Sequence, residues 1–467
     1  MKKIKTHLTF KVIIIAFFTL QTFSTIAQTY QNLYDFSGTN GSRPYAKLTS
    51  DGNYFYGTTN RGGVNNSGVI FKIKLDGTDF IKLHDFDGTN GERPYSSLTI
   101  VGSQLFGVTH QGGINGQGVL FKINTDGTNF TKLVDVVNNN GQNPESSLYF
   151  DGSDLYGTTY GGGLNAGGGM LYKVNTDGTN FTILHSFTGG GFGNGSQPQG
   201  ELLSDGTYFY GSLYTGGAQN VGSIYRINMD GTGFQSLHNF DSINIPLNFC
   251  IGSMGLILDN GYLYGTTFSG GANGLGFVYK METNGNNFTI LHDFLSATGS
   301  KSNCELLLFN GYLYGTTTQG SPSGGGVIFR IKTDGTDFTS VYDFNTSSGY
   351  SPYCGLIYTN YSLYGVTTSG GSNGDNGTIF KFNDEFVTSV NSLENGNDLK
   401  LYPNPSTGIL NVDVKQGMLI SVADASGKKL FTRELKSGIN QLDLTSLTSG
   451  VYFLQTQYGT SVRFVKQ

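Results

Sequence analysis

A segment of about 50 residues recurs seven times along this chain of 467 residues, and the repetition constrains the fold more than any single motif does. The glycine of a Y/F-G-x-T/L element marks each copy, and GVIFKI-like and LHDF-like elements keep the same phase. The marker glycines are Gly57, Gly107, Gly157, Gly211, Gly265, Gly315 and Gly365. An element that repeats in phase indicates architecture. Its GYLYGTT form, at 261–267 and 311–317, is therefore not interpreted as an active-site motif.

Each copy predicts four short antiparallel strands. In the first copy they are Tyr45–Ser50, Tyr54–Thr59, Val69–Leu75 and Phe80–Phe86. Asp51-Gly52 and Asp76-Gly77 predict hairpin turns, because glycine tolerates a positive φ and aspartate caps the turn. The 71 glycines, 28 tyrosines and 34 phenylalanines suit short strands joined by tight turns. The glycine of the second strand is expected to allow a close approach of neighbouring sheets.

The two ends of the repeat region predict a closed ring. A lone strand of the fourth type, Tyr30–Phe36, precedes the first copy, and the last copy has no LHDF element after GTIFKFN. In a ring, the N-terminal strand would complete the last copy and remove the free sheet edges. We therefore predict an all-β fold, a seven-bladed β-propeller over residues 28–385 closed by the N-terminal strand, with an open β-solenoid as the alternative.

The N-terminal segment 1–27 is predicted to be a cleaved secretory signal. Lys2, Lys3 and Lys5 precede an apolar run at 10–20 that is too short to span a bilayer, and a small-x-small pattern ends the segment. We expect no transmembrane segment in the mature chain. Removal of the signal takes away four lysines and moves the formal charge from -5 to -9. A mildly acidic chain without basic clusters predicts no nucleic-acid partner.

The repeat ends near residue 385, where a polar stretch at 386–398 is suitable as a linker. Residues 399–467 alternate between apolar and polar, as in a small β-sandwich.

The repeat consensus, LYGTT…GG…GVIFKI…DGTNFTxLHDF, resembles the bacterial tandem-repeat family called GloVer over residues 30–385. That resemblance implies a propeller-like exported protein with no assigned reaction.

The segment 399–467 resembles the type A C-terminal sorting domain of the type IX secretion system of Bacteroidetes. The residues that carry this resemblance are Tyr402, Pro403, Asn404, Pro405, Gly408, the turn at 424–427, Gly450, Tyr452 and Lys466. The resemblance implies the type IX machinery as a partner, passage across the outer membrane and removal of this domain. The protein would then be released or attached to surface lipopolysaccharide, and its location would be extracellular.

One face of the predicted propeller is the candidate ligand site, because the loops that join second to third strands and fourth to following first strands emerge there and vary in sequence. The candidate binding residues are Arg43, Tyr45, Arg93, Tyr95, His110, Glu145, Tyr160, Tyr214, Phe268 and Tyr353. The longer loops at 189–195 and 241–248 would overhang this face. We expect a glycan or protein ligand, a monomer, and neither a cofactor nor a metal ion.

A non-enzymatic binding module is the favoured function, and two alternatives stay open. A carbohydrate-active enzyme, a glycosidase or lyase, could use Glu145, His110 and Arg93, but the acids that the face offers come from different blades. These acids are Glu92, Glu145, Glu201 and Glu305. The other alternative is a purely structural adhesin.

Two further groups of residues are predicted to be structural. One histidine position recurs beside apolar residues of the fourth strand and is not interpreted as a metal site. Its members are His84, His185, His238 and His292. Cys304 and Cys354 occupy one repeat position shared with other small residues, so buried thiols are favoured over a disulfide. The N-x-D-G-x-N segments are interpreted as hairpin turns rather than calcium loops.

Overall fold

The structure is a computed structural model that describes residues 28–164, 167–188, 195–216, 220–240, 255–360, 362–384, 399–404, 406–414, 417–424, 429–456 and 461–466. The predicted signal at 1–27 and linker at 386–398 lie outside the described residues. So do Cys250, Pro405, the turn residues 425–428 and nearly all of the two long loops at 189–195 and 241–248.

Each repeat forms a four-stranded antiparallel sheet, and we number these sheets 1 to 7 in chain order. Sheet 1 contains Thr49–Ser50, Tyr54–Thr59, Val69–Lys74 and Ile81–Asp85. Sheet 2 contains Thr99–Val101, Gln104–Thr109, Val119–Asn124 and Thr131–Asp135. Sheet 3 contains Tyr149–Phe150, Asp154–Thr159, Met170–Asn175 and Thr182–Ser186. Sheet 4 contains Ser196–Ser204, Tyr208–Thr215, Ser223–Asn228 and Gln235–Asn239.

Sheet 5 contains Ile257–Asp259, Tyr262–Thr266, Phe277–Glu282 and Thr289–Asp293. Sheet 6 contains Leu307–Phe309, Tyr312–Thr317, Val327–Lys332 and Thr339–Asp343. Sheet 7 contains Ile357–Thr359, Ser362–Thr367, Thr378–Asn383 and the N-terminal strand Thr29–Asp35. The N-terminal strand pairs antiparallel with Thr378–Asn383, so the two ends of the repeat region meet in one sheet.

The first strand of most sheets is shorter than predicted. In sheet 1, ladder pairing with the second strand begins at Thr49 rather than at Tyr45. Arg43 has a positive φ of 56°, and Pro44 has no backbone N–H to donate, and both features disfavour regular ladder pairing at this point. The residues between Tyr45 and Thr49 therefore extend across the sheet end without pairing fully.

The Asp-Gly turns form as predicted, and their aspartates are engaged in capping. Asp51 Oδ1 accepts hydrogen bonds from the backbone nitrogens of Asn53 and Tyr54, both at 2.8 Å. Asp126, in an N-x-D-G-x-N segment, accepts from the nitrogen and hydroxyl of Thr128 at 2.9 and 2.6 Å. Local hydrogen bonding accounts for these aspartates as turn residues.

The marker glycine makes room for an aromatic ring of its own sheet. A Cβ atom on Gly57 would lie 2.6 Å from Cζ of Phe71, its partner on the third strand, and 3.1 Å from Leu48 Cδ2. The expectation that this glycine serves the approach of a neighbouring sheet was wrong. The aromatic residue of GVIFKI covers the glycine of the paired strand instead, which explains why the two motifs recur together.

Aromatic stacking joins consecutive sheets at one repeat position. His84 of sheet 1 stacks on Phe130, which precedes the fourth strand of sheet 2, with ring centroids 3.7 Å apart. The other histidine pairs are His185–Phe234, His238–Phe288 and His292–Phe338. Burial lowers the pKa of His84, His185 and His292. These histidines are packing residues, as the sequence predicted.

The N-terminal strand carries the same stacking position on both sides of sheet 7. Tyr34 stacks on Phe80 beside sheet 1, and Tyr30 stacks on Tyr342 of sheet 6, each pair with centroids 4.2 Å apart. Seven buried hydrophobic clusters each combine residues of two sheets, and one of them joins Tyr364 of sheet 7 to Phe55 of sheet 1. Apolar packing thus lies between the sheets.

Two further sheets follow in the C-terminal segment. The first contains Leu399–Tyr402, Ile409–Val414 and Gly438–Asp443. The second contains Met418–Asp424, Lys429–Leu435, Gly450–Thr456 and Ser461–Lys466. Both sheets contribute to one core, to which Val412 and Leu454 belong, so this segment is a small sandwich.

Helical structure is minimal in the described ranges, where a single 3-10 turn occurs at Asn138–Asn140. Within this part of the chain no helix has the length and apolarity needed to cross a membrane.

Candidate functional site

Six of the seven sheets contribute to one small cavity, which we call the central cavity, through residues at or just before their first strands. Its volume is about 50 Å³, enough for a few waters or one small group and not for a sugar ring. Three tyrosines from sheets 1, 2 and 7 lie at one repeat position along its wall. We call Tyr45, Tyr95 and Tyr353 the tyrosine mouth.

The rings of the tyrosine mouth contact one another. Tyr45 lies 5.2 Å from Tyr95 and 4.9 Å from Tyr353 between ring centroids, with interplanar angles of 53° and 83°. Burial, followed by the neighbouring Tyr45 and the charge of Glu145, raises the pKa of Tyr95 and of Tyr353. These phenols are therefore neutral hydrogen-bonding groups at neutral pH.

An imidazole and a carboxylate meet beside the tyrosine mouth. His110 Nδ1 lies 3.0 Å from Glu145 Oε1, and the His110 ring lies edge-on to Tyr95 with centroids 5.3 Å apart. Gln199 Nε2 donates to the other carboxylate oxygen of Glu145 at 3.4 Å. Two of the predicted candidates, His110 and Glu145, are thus brought together, although they come from sheets 2 and 3.

A second ring of residues occupies the repeat position two residues after the tyrosine mouth. It consists of Lys47, Ser97, Ser147, Glu201, Gly255, Glu305 and Gly355. Lys47 forms ion pairs with Glu201, at 3.5 Å, and with Glu305, and these three residues are the charged floor of the central cavity. Ser147 Oγ donates to Glu201 Oε1 at 2.7 Å.

Glycine is required at the two positions beside Glu305. A Cβ atom on Gly255 would lie 2.7 Å from Glu305 Cβ, and one on Gly355 would lie 2.8 Å from the Glu305 carbonyl oxygen. The two glycines leave the space in which Glu305 reaches Lys47.

The charged floor is short of positive charge. Burial opposes the charged form of Lys47, but the two carboxylates hold its pKa above the ordinary value. Burial also opposes the ionised form of Glu201, whose pKa is nevertheless held low by Lys47 and the Ser147 hydroxyl. Burial and the charge of Glu201 raise the pKa of Glu305 to about 7. One ammonium group does not compensate two carboxylates in this space.

A wider cavity lies on the opposite side of the charged floor. It has a volume of about 660 Å³, shares Lys47 and Glu201 with the central cavity, and is lined further along the strands by residues such as Thr99, Leu307 and Ile357. The charged floor therefore separates a narrow cavity behind the tyrosine mouth from an open funnel.

Several candidates from the sequence do not line the central cavity. Tyr160 and Tyr214 lie near each other, with centroids 6.4 Å apart, and Phe268 faces the ammonium of Lys301 at 5.6 Å. Tyr160 and Phe268 follow second strands, and Tyr214 lies near the end of one. A second strand lies one strand further from the cavity than the first strand does. These three candidates therefore lie outside the lining of the central cavity.

The two arginines occupy separate surroundings. Arg93 Nε pairs with Glu92 Oε1 at 3.3 Å. Arg43 lines a shallow depression of about 800 Å³ together with Arg61 and Asp375. Neither arginine lines the central cavity, and Glu92 is engaged by Arg93 rather than placed beside Glu145.

Sequence reasoning missed Lys47, which holds the charged floor together. The signal was present, because Lys47 occupies the repeat position of Glu201 and Glu305, and opposite charges at one position of a ring can meet.

A row of exposed aliphatic loop tips was also missed. Val64, Ile114 and Leu164 are 79%, 78% and 72% exposed at one repeat position of sheets 1 to 3. The backbone nitrogens of Val64 and Ile114 donate to Asp85 and Asp135, each at 2.9 Å.

The thiols of Cys304 and Cys354 are free and buried, in agreement with the prediction. Burial raises the pKa of both. Within the described ranges, no group of three or more His, Cys, Asp or Glu side chains is arranged to hold a metal ion.

In the C-terminal sandwich, the YPNP segment contacts the last strand. Asn404 Oδ1 accepts a hydrogen bond from the nitrogen of Val465 at 2.9 Å, and the backbone of Ser406 donates to the Val465 carbonyl at 2.8 Å. Tyr452 donates its hydroxyl hydrogen to the carbonyl of Thr448 at 2.8 Å. The sequence motifs therefore lie where the two chain ends of the sandwich meet.

Comparison with protein families agrees with the repeats and with the C-terminal motifs. The Gloeobacter/Verrucomicrobia repeat profile matches residues 18–148, 101–249 and 250–430, and the chain belongs to this family. Residues 400–467 match the secretion system C-terminal sorting domain. The sorting domain is that of the type IX system, so the protein interacts with that machinery and is secreted or attached at the outer-membrane surface. No curated protein matches the chain.

Solved structures with related folds are distant in sequence. An oligogalacturonate lyase in complex with manganese is 13% identical with a TM-score of 0.51, and the match covers 78% of this chain and 98% of the lyase. The GH74 enzyme of Niastella koreensis is 14% identical with a TM-score of 0.49, covering 93% and 74%. PorZ, a type IX secretion component of Porphyromonas gingivalis, is 13% identical with a TM-score of 0.35 over 90% of this chain, which spans 65% of PorZ. These likenesses concern the fold alone.

Proposed function

We propose that this protein is an exported, non-enzymatic binding module that holds its ligand at the tyrosine mouth of a closed seven-bladed β-propeller. In this proposal residues 28–385 are the propeller, and residues 399–467 direct its export and are then removed. The observation that carries the binding function is the tyrosine mouth, where Tyr45, Tyr95 and Tyr353 from three sheets meet above a cavity lined by charged groups.

Three observations support the closed ring. The first and last strands of the repeat region pair in one sheet. Tyr34 of that sheet stacks on Phe80 beside sheet 1. Lys47 of sheet 1 reaches carboxylates of sheets 4 and 6, which requires the first strands of these sheets to surround a common space. A ring also leaves no open sheet edge between blades.

The chemistry of the tyrosine mouth favours a carbohydrate ligand. Tyrosine rings offer flat apolar faces to the C–H groups of a sugar, while their hydroxyls and the Glu145 carboxylate offer hydrogen-bonding groups to its hydroxyls. The central cavity is too small to enclose a sugar ring. The ligand would therefore lie across the mouth, with at most one substituent entering the cavity.

The test is binding of the secreted protein to a glycan array, compared with Tyr45→Ala/Tyr95→Ala/Tyr353→Ala. We expect the triple variant to lose the glycans that the wild type retains. Single variants, with circular dichroism and thermal melting, show whether loss of binding comes with loss of fold. Tyr208→Ala is the matched control, because that tyrosine lies against Arg226 away from the cavity. Equal binding by the triple variant and the wild type would contradict the proposal.

The His110–Glu145 pair favours a second candidate function, a glycosidase or lyase. An imidazole 3.0 Å from a carboxylate is an arrangement that can exchange protons with a substrate. A glycosidase also needs a second free carboxyl group across the sugar, and the nearest acids of the cavity, Glu201 and Glu305, both bind Lys47. Degradation of any arrayed glycan by the wild type, abolished by Glu145→Gln, would establish the enzyme instead.

A further inference from the structure

We infer that the tyrosine mouth and the central cavity select an amino sugar, whose free primary ammonium group enters the cavity while its ring remains at the tyrosines. This inference rests on the proposed binding function and adds the charge of the ligand. The observation behind it is the lining of the cavity, where tyrosine rings lie next to three glutamates and, among the described residues, one lysine.

The lining of the central cavity is electronegative. Among the described residues that line it, Glu145, Glu201 and Glu305 supply carboxyl groups, whereas Lys47 supplies the one cationic side chain. Arg93, whose charge acts on Tyr95, is paired with Glu92 and does not line the cavity. A ligand cation would be attracted to this lining, and a carboxylate such as that of a uronic acid would be repelled.

The carboxylates are enclosed but not sealed. The side chains of Lys47, Glu201 and Glu305 keep 25%, 32% and 23% of their exposure. All three line the central cavity, and Lys47 and Glu201 also line the wider cavity. A small cation can therefore reach Glu305 without displacing Lys47.

The titration of Glu305 supports the same conclusion. Its neighbours are Lys47, Glu201 and the buried thiol of Cys304, and the charge of Glu201 adds to burial in raising the pKa of Glu305 to about 7. A carboxyl group whose ionised form is disfavoured first by burial and then by a neighbouring carboxylate is stabilised by an added positive charge. An incoming ammonium group would supply that charge.

Size and shape decide which cation fits. A cavity of about 50 Å³ admits a primary ammonium group, which is close to the size of water. The tyrosine faces attract cations through their ring electrons and also offer apolar surface to a sugar.

Hydrogen-bonding groups at the mouth favour a ligand with hydroxyl oxygens. The mouth offers the phenols of Tyr95 and Tyr353 and the Glu145 carboxylate, and the buried amide of Asn60 supports Tyr95 through a side-chain hydrogen bond. An ammonium, a flat ring and hydroxyl oxygens occur together in an amino sugar.

The experiment compares three tetrasaccharides by isothermal titration calorimetry on the secreted protein at pH 7. The probes are a glucosamine tetramer with free amines, its fully N-acetylated counterpart and a galacturonate tetramer. We expect the amine tetramer to bind at least about tenfold tighter than the acetylated one, because a tenfold preference needs only about 1.4 kcal/mol, and the galacturonate to show no binding.

Two variants of the charged floor should act in opposite directions. Glu305→Gln removes one carboxylate and should reduce the ratio of amine to acetylated affinity about tenfold. Lys47→Gln removes the resident cation and should increase that ratio. If the charged floor only supported the fold, either variant would lower the affinities for both tetramers together and leave their ratio unchanged. That result would overturn the inference. Glu92→Gln, at the outer ion pair with Arg93, is the matched control and should leave the ratio unchanged.

The outcomes separate this inference from the function on which it rests. Equal affinity for amine and acetylated tetramers, lost in the tyrosine triple variant, would overturn the cation selectivity and leave the binding function in place. Binding of none of the probes, with no other glycan retained, would overturn both. Binding of an oligolysine peptide in place of the glucosamine tetramer would overturn the amino sugar as the ligand.

Discussion

A buried ion pair between sheets 6 and 7, beside the point where the two ends of the repeat region meet, offers a sharp test of how the fold is held together. Asp384, fully buried, directly follows the last strand of sheet 7, and both of its carboxylate oxygens accept hydrogen bonds from Nη1 of Arg330 in sheet 6 at 2.7 and 2.8 Å. The hydroxyl of Tyr314 donates to it at 2.8 Å, and Gln28 Nε2 at 3.1 Å. Asp384 therefore ties sheet 6 to both ends of the repeat region.

The residues at the repeat position of Arg330 make weaker contacts in other repeats. Lys72 Nζ donates to the backbone oxygen of Thr125 at 3.0 Å, and Arg226 Nη1 to that of Thr283 at 3.3 Å. These contacts use a neutral carbonyl oxygen rather than a carboxylate. Asp384 thus replaces an ordinary contact between repeats by a charge-assisted one.

Asp384→Ala should destabilise the repeat domain by about 3–5 kcal/mol, because it leaves the guanidinium of Arg330, 7% exposed, buried without its counter-ion. The unfolding entropy of a domain of about 350 residues is about 0.75 kcal/mol/K near 60 °C, so this loss corresponds to a fall in Tm of about 4–7 °C. Differential scanning calorimetry of the full-length protein measures it.

The matched variant is Arg330→Met/Asp384→Leu, which removes both charges and keeps similar volumes. Replacement of a whole buried ion pair by apolar residues is often neutral or stabilising, so we expect this double variant to recover most of the lost Tm. The reasoning is refuted if Asp384→Ala lowers Tm by less than about 1 °C, or if the double variant is no more stable than the single one.

Three further outcomes are expected. His84→Tyr copies Tyr34 at the same repeat position and should weaken the loss of stability on acidification. Because the folded-state pKa of His84 is lowered, the stability contributed by the neutral imidazole is present above pH 6.5 and is lost as the pH falls below that value. Identical pH dependence of the variant and the wild type in melting curves from pH 8 to 5 would contradict this. Gly57→Ala should cost about 1–3 kcal/mol in urea unfolding because its Cβ would overlap Phe71, and Phe71→Leu should relieve part of that cost; equal stability of Gly57→Ala and wild type would contradict this packing. Deletion of 399–467 should leave the protein inside the cell envelope, as cell fractionation with immunoblotting would show, and normal secretion of the shortened chain would contradict the role of this domain.

Much of the fold could be predicted because its signals are local. The second strand of sheet 1, Tyr54–Thr59, was predicted with its observed bounds, since alternation and an Asp-Gly turn define it within a few residues. The first strand was predicted too long, because the effect of Arg43 and Pro44 on ladder pairing depends on how the chain crosses from one sheet to the next. The family and the sorting domain were likewise identified from motifs, and the comparisons confirm both.

The candidate site could be predicted only in part. Tyr45, Tyr95 and Glu145 were found because their repeat position changes from copy to copy while the neighbouring motifs do not. All three line one cavity. Tyr160 and Tyr214 were selected by the same rule, yet they lie a strand further out. Variation along a repeat shows which positions are free to change, but it does not give their distance from a shared centre.

The sequence by itself determined the number of repeats, the strand order within each, the packing role of the histidines and the export signal at the C-terminal end. Each of these depends on residues close together in the chain or on a period that can be counted. The tertiary structure alone decided that Lys47, Glu201 and Glu305, separated by 258 positions from first to last, share one cavity. Contacts between distant repeats follow from the way sheets pack around a common space, and no local pattern of residues specifies that distance.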